Sequence, residues 1–102
     1  AGRSNILFTN GLLDPWSAGG VYARGHFPPP RSGSGSSPVE RHNVTADGSV
    51  VSVTLDLGGH HLDLMFSDER DPPCASEARD IADELIGKWI EEWTRENLHT
   101  CV

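Results

Sequence analysis

Hydrophobic residues fall into three patterned stretches along this chain. Asn5-Ile6-Leu7-Phe8-Thr9-Asn10 is a short, largely apolar run closed by Asn10-Gly11. A run of that length ending in a turn signal predicts a buried strand. Residues 50–57 are rich in β-branched side chains, and Val51, Val53, Leu55 and Leu57 share one face at period two. That pattern predicts a second strand, ended by Gly58-Gly59. The third stretch changes period. Ala78, Ile81, Ala82, Leu85, Trp89 and Trp93 recur every three or four residues, and Ile86 and Ile90 widen the stripe. This predicts an amphipathic helix with Trp89 and Trp93 in the core. Glu77, Asp80, Asp83, Glu84, Glu91 and Glu92 are left mainly for its wet face. Asp71 is the expected cap, Pro72 the expected first helical residue, and the helix should fade between Glu96 and Leu98.

Between the predicted strands the chain changes character. Asp14 precedes Pro15 in a loop, and residues 17–22 suit a short helical turn weakened by Gly19 and Gly20. Residues 25–40 are dominated by Pro, Gly and Ser, offer almost nothing to bury, and read as a flexible surface insertion. The order is strand, Asp loop, insertion, strand, His loop, helix, which places the chain in the α/β class. Two strands and one helix cannot cover both faces of a parallel sheet. The 102 residues are therefore expected to be one part of a larger domain, with its partner elements upstream and Ala1 at a cut.

Composition narrows the function classes. Fifteen Asp and Glu against eight Lys and Arg give a formal net charge of -7, which argues against a nucleic-acid surface. No apolar run approaches the roughly 20 residues of a membrane span. Cys74 and Cys101, the two cysteines, are too few for a disulfide scaffold, and the predicted helix between them keeps them apart. Asn43-Val44-Thr45 is an N-glycosylation sequon, a short motif that also occurs by chance.

Two polar positions stand where chemistry is usually placed. Asp14 follows the first predicted strand, and the pair His60-His61 follows the second. Ligands of open α/β sheets bind beyond the carboxyl ends of the strands. An Asp and then a His at such ends match the last two members of the Ser, Asp, His chain order of α/β-hydrolases. The His takes a proton from the serine and returns it to the leaving group, while the Asp fixes its tautomer. Taken singly, a loop Asp before Pro is more often a turn former, and a His pair more often structural.

The wording around both positions is more specific. Residues 4–21, centred on Thr9-Asn10-Gly11-Leu12-Leu13-Asp14-Pro15-Trp16-Ser17, closely resemble the catalytic-Asp segment of one family, the lysosomal Pro-Xaa carboxypeptidase and dipeptidyl peptidase II group of serine peptidases. Gly58-Gly59-His60-His61-Leu62-Asp63-Leu64 resembles its catalytic-His segment, and Asp71-Pro72 with the helix through Trp89-Ile90 resembles its C-terminal end. The resemblance covers nearly the whole chain outside the insertion. It implies the last two parallel strands and terminal helix of an α/β-hydrolase fold. It also implies cleavage of peptides after proline, taking one residue from a C-terminus or a dipeptide from an N-terminus. No cofactor or metal is implied. Asp14 takes the place of the triad Asp and His60 that of the triad His, with His61 the rival. Members are lysosomal or secreted glycoproteins, which gives the sequon at Asn43 a use.

Departures from the family pattern matter too. The stretch between Asp14 and His60 is longer than usual, and the excess coincides with residues 25–40. Gly59 stands where members commonly have Ala, and Met65 where they commonly have Arg. No Gly-x-Ser-x-Gly elbow is present, so the nucleophile is expected from the missing N-terminal part of the same protein, and the chain alone should be inactive. Trp16 either packs the Asp14 loop on the sheet or lines the wall near substrate. Two rival readings stay open: a non-catalytic binding module or pseudoenzyme, and a metal site built on His60, His61 and Asp63 with His26 or His42.

Overall fold

The computed structural model describes residues 4–22 and 39–98. Three strands form a mixed sheet: β1 (Ile6–Gly11), β2 (Val39–Asn43) and β3 (Val50–Leu55), in the order β1-β3-β2. β1 pairs with β3 in parallel, from Ile6 opposite Val50 to Gly11 opposite Leu55. β2 returns antiparallel on the other side of β3, from Val39 opposite Leu55 to Asn43 opposite Val51. One long helix, α1 (Pro73–Asn97), lies on one face. The two expected parallel strands and the helix are thus present, and the chain is a small mixed α/β unit.

β3 is the central strand, and all six of its residues are buried. Its side chains alternate between faces. Val51, Val53 and Leu55 join Val39 and the helix residues Cys74, Ala78, Leu85 and Trp89 in the core, with Leu7 and Ile81 packed against them. Fully burying a residue such as Leu85 contributes about 1.5–3 kcal/mol before entropy is counted. On the other face, Ser52 and Asn10 are buried polar groups, and both donate to the carbonyl of Val21, at 2.9 and 2.8 Å. Those bonds tie Val21 over this sheet face and satisfy its buried donors.

Several sequence expectations are corrected. The second strand ends at Leu55, not Leu57. Leu57 is exposed in a turn where Asp56 Oδ1 accepts its N–H at 2.7 Å. Val39 and Glu40, assigned to the end of the insertion, open β2, and Val39 is buried. The remainder of that insertion, residues 25–38, lies outside the described residues. β2 and β3 are joined by a turn built on Asp47. Its Oδ1 accepts from Ser49 N, Ser49 Oγ and Thr45 Oγ1 at 3.0, 2.8 and 2.8 Å. These donors lower the pKa of the Asp47 carboxyl to about 2.

Asp71 does not cap the helix. Pro72 holds the N-cap position and Pro73 begins the helix. The Asp71 carboxylate instead accepts from Asp68 N at 3.0 Å and Arg79 Nη1 at 2.8 Å. The Asp68 amide first, and Arg79 second, lower its pKa. The far end of the helical stripe is also misassigned: Trp93 is 63% exposed, and Ile86 and Ile90 are exposed as well. Among the described residues no strand continues the sheet beyond β1 to cover this part of the stripe. With Trp89 and Asn5 it lines an open groove of about 370 Å³. Cys74 is a free buried thiol, and Cys101 lies outside the described residues. No helix among the described residues is long and apolar enough to cross a membrane.

Candidate active site

Parallel pairing of β1 with β3 sends the chain out of the sheet at the same end twice. At that end the two backbones touch. A Cβ on Gly11 would stand 2.3 Å from the carbonyl oxygen of Gly58, and one on Gly58 would stand 3.0 Å from Gly11 Cα. Only glycine permits this approach. Two backbone bonds fasten the crossing, Leu12 N to Leu55 O and Leu13 N to Gly58 O, both 3.0 Å. The loop after β1 is thereby fixed to the loop after β3.

On that support the Asp14 loop folds on itself. Asp14 N donates to Gly11 O at 3.1 Å, and Ser17 N donates to Asp14 O at 3.0 Å, entering the short 3-10 turn Ser17–Gly19. Asp14 Oδ1 accepts the N–H of Trp16 at 2.9 Å, the usual use of an Asp in a turn. Its other oxygen, Oδ2, lies 2.7 Å from Nδ1 of His60, 46 residues away. The side chain of Asp14 is 15% exposed and that of His60 52%. One carboxylate therefore both closes the turn and reaches the His loop.

The protonation pattern follows from the partners. Hydrogen bonds from the His60 ring first, and from the Trp16 amide second, hold the Asp14 carboxyl below the usual carboxylate range, outweighing the opposing effect of desolvation. An ionised carboxylate only accepts, so the proton in the contact sits on Nδ1 of His60. In the neutral ring Nε2 then carries the lone pair on the edge away from Asp14 and is the nitrogen able to act as a base. Because the folded-state pKa of Asp14 is depressed, its contribution to stability is present above the unfolded value near 3.9. That contribution is lost as pH falls through the folded value.

His61 is held differently. Its φ of 57° is left-handed, a conformation costing a side-chain-bearing residue roughly 1–2 kcal/mol. Adjacent side chains on an extended strand point to opposite faces, yet the two rings lie side by side, tilted, with centroids 3.8 Å apart and planes at 49°. The left-handed turn removes the alternation that an extended chain would impose. Of the two imidazoles, His60 makes the contact with Asp14.

The other sequence candidates are dispersed. Trp16 is 76% exposed, so it does not pack the Asp14 loop onto the sheet. Asn43 is exposed at the end of β2. His42 sits on β2, with Nε2 3.4 Å from Glu40 Oε2, and His26 lies outside the described residues. Among the described residues, no three His, Cys, Asp or Glu side chains converge as a metal site would require. Two supports went unread in the sequence. Tyr22 donates its hydroxyl to Ser17 O at 2.7 Å, and burial, then the charge of Asp14, raise its pKa. Arg79 reaches from α1 to the backbone of the His loop.

Known proteins are similar to this chain in sequence. A Caenorhabditis elegans protein named prolyl carboxy peptidase like protein 5 is 36% identical over 92 residues, 90% of this chain and 14% of that protein. The human lysosomal Pro-X carboxypeptidase is 32% identical over 91 residues, 89% of this chain and 14% of its own length. The mouse protein of the same name is 32% identical over 88 residues, again 14% of its length. No family model matches the chain, and no solved structure does. Over about nine-tenths of its length the chain is therefore similar to proteins named as prolyl carboxypeptidase-like and lysosomal Pro-X carboxypeptidase, and it spans only 14% of their length.

Proposed function

We propose that this chain is the Asp- and His-bearing end of an α/β-hydrolase peptidase, and that it cleaves after proline together with a serine from the rest of a longer protein. The 2.7 Å contact between Asp14 Oδ2 and His60 Nδ1 carries this reading. In the reaction, His60 Nε2 takes the serine hydroxyl proton as the oxygen attacks the peptide carbonyl. The imidazolium, stabilised by Asp14, then protonates the leaving amine as the C–N bond breaks. Water, deprotonated by the same nitrogen, hydrolyses the acyl-enzyme and releases the serine. The names of the matched relatives favour removal of a C-terminal residue over release of an N-terminal dipeptide. Trp16, exposed two residues beyond Asp14, is the side chain this reading places at the substrate wall.

The test compares two proteins. Full-length protein containing this chain should release the terminal residue from a peptide ending in Pro-Xaa, and the 102-residue chain alone should release none. Turnover by the short chain at a comparable rate would overturn the proposal. A full-length protein that neither turns over substrate nor reacts with a serine-directed phosphonate would favour the pseudoenzyme instead.

The same reading places the protein in the lysosome or outside the cell, as a glycoprotein with Asn43 as acceptor. The protein from a secreting eukaryotic host should lose the mass of one glycan on treatment with an amidase that removes N-linked sugars. Asn43→Gln should abolish that shift, and an unchanged shift in the variant would exclude Asn43.

A further inference from the structure

His60 lies in a long connection that is held at both ends. The chain leaves the sheet after Leu55 and enters α1 only at Pro73, with a single 3-10 turn, Leu62–Leu64, between them. The residue next to His60 is in the left-handed region, and the His60 side chain is half exposed. The crossing at Gly58 and the ring's contact with Asp14 fix one end of the loop. The other end is fixed by one side chain from the helix.

Arg79, in the second turn of α1, spreads its guanidinium across three acceptors. Nη2 donates to Leu62 O at 3.0 Å, Nε donates to Asp63 O at 3.3 Å, and Nη1 donates to Asp71 Oδ2 at 2.8 Å. Arg79 and Asp71 are mostly buried, their side chains 19% and 15% exposed. The two carbonyls belong to consecutive peptide units that begin two residues after His60. A planar fork of five N–H groups spans such a set, whereas a lysine ammonium is a single point of charge. Buried and held by Asp71 on its far side, the fork ties the loop beyond His61 to the rigid helix.

We propose that Arg79 is a positioning residue for His60: by gripping the carbonyls of Leu62 and Asp63 it holds the imidazole where Nδ1 meets Asp14. The inference rests on the peptidase reading for its catalytic consequence, but the positioning itself is measurable without turnover. A merely structural Arg79 would support stability and leave the ring alone.

Two variants, Arg79→Lys and Arg79→Gln, test it. In long-range proton–nitrogen spectra of the His60 ring, the wild-type chain should show the Nδ1–H tautomer. Both variants should shift toward the Nε2–H tautomer. In the full-length enzyme kcat should fall roughly 10- to 100-fold, the scale of a small misplacement of a reacting group, with KM little changed. Arg79→Lys keeps the charge beside Asp71 and supplies the measurement if Arg79→Gln fails to fold. The proposal is overturned if folded Arg79→Lys keeps the wild-type tautomer, or if the wild type lacks the Nδ1–H tautomer. A tautomer change in the variants with an inactive wild-type full-length protein would support the positioning role and defeat the peptidase reading alone.

Discussion

Asp14→Asn in the full-length protein should lower kcat for cleavage after proline by roughly 10⁴-fold, with KM nearly unchanged. The amide is nearly isosteric, so the turn at Trp16 can survive through its oxygen. What changes is the face toward His60. An Asn that presents its NH₂ to Nδ1 selects the opposite tautomer and puts the proton on the nitrogen that must act as base. His60→Gln should cost at least as much, since no proton acceptor remains. His61→Gln should alter kcat severalfold at most, because its ring touches His60 without bonding to the carboxylate. Steady-state rates for the three variants decide the roles. A severe loss in His61→Gln beside a mild one in His60→Gln would reverse the assignment.

The second large effect is expected at Gly11. Gly11→Ala places a methyl 2.3 Å from the Gly58 carbonyl oxygen and 2.9 Å from that of Gly59. Both are backbone atoms, so relief requires the two loops to separate. Overpacking of this kind costs about 1–3 kcal/mol. The same movement should pull the Asp14 and His60 loops apart, so activity should fall together with stability. Gly59→Ala is the matched control. A Cβ there meets nothing within 4 Å. Chemical denaturation of both variants, with activity in the full-length protein, measures the contrast. Equal stability of Gly11→Ala and Gly59→Ala would mean that the crossing of the two loops is not the constraint described.

The readable parts of this chain were those whose signal is local. Ile6-Leu7-Phe8 and the β-branched run from Val50 announce strands by side chain alone, and Asp14 and His60 follow them directly. β2 was missed because Val39-Glu40-Arg41-His42-Asn43 holds one apolar residue; it is a strand because β3 offers it an edge. Trp93 was assigned to the core because helical period reports a face, not whether a strand lies opposite. Asp71 read as a cap because Asp before Pro at a helix start fits the rule, but Arg79 and the Asp68 amide both donate to its Oδ2. Arg79 itself sits between Ala78 and Asp80 on an acid-rich helix. Nothing in its neighbours in sequence points to a loop 16 and 17 residues earlier.

The strand order has a bearing on how this chain can vary. β1 lies directly against β3, and the β2 hairpin hangs on the outer flank of β3. Length added between Tyr22 and Val39 therefore falls between two anchored ends. The entropy of closing a flexible loop grows slowly, by about 0.6 kcal/mol for each doubling of its length. The Asp14–His60 contact is set by the β1–β3 pairing and by the crossing of the loops that follow those strands. A graft, tag or reporter placed between Tyr22 and Val39 should leave the distance between carboxylate and imidazole as it was.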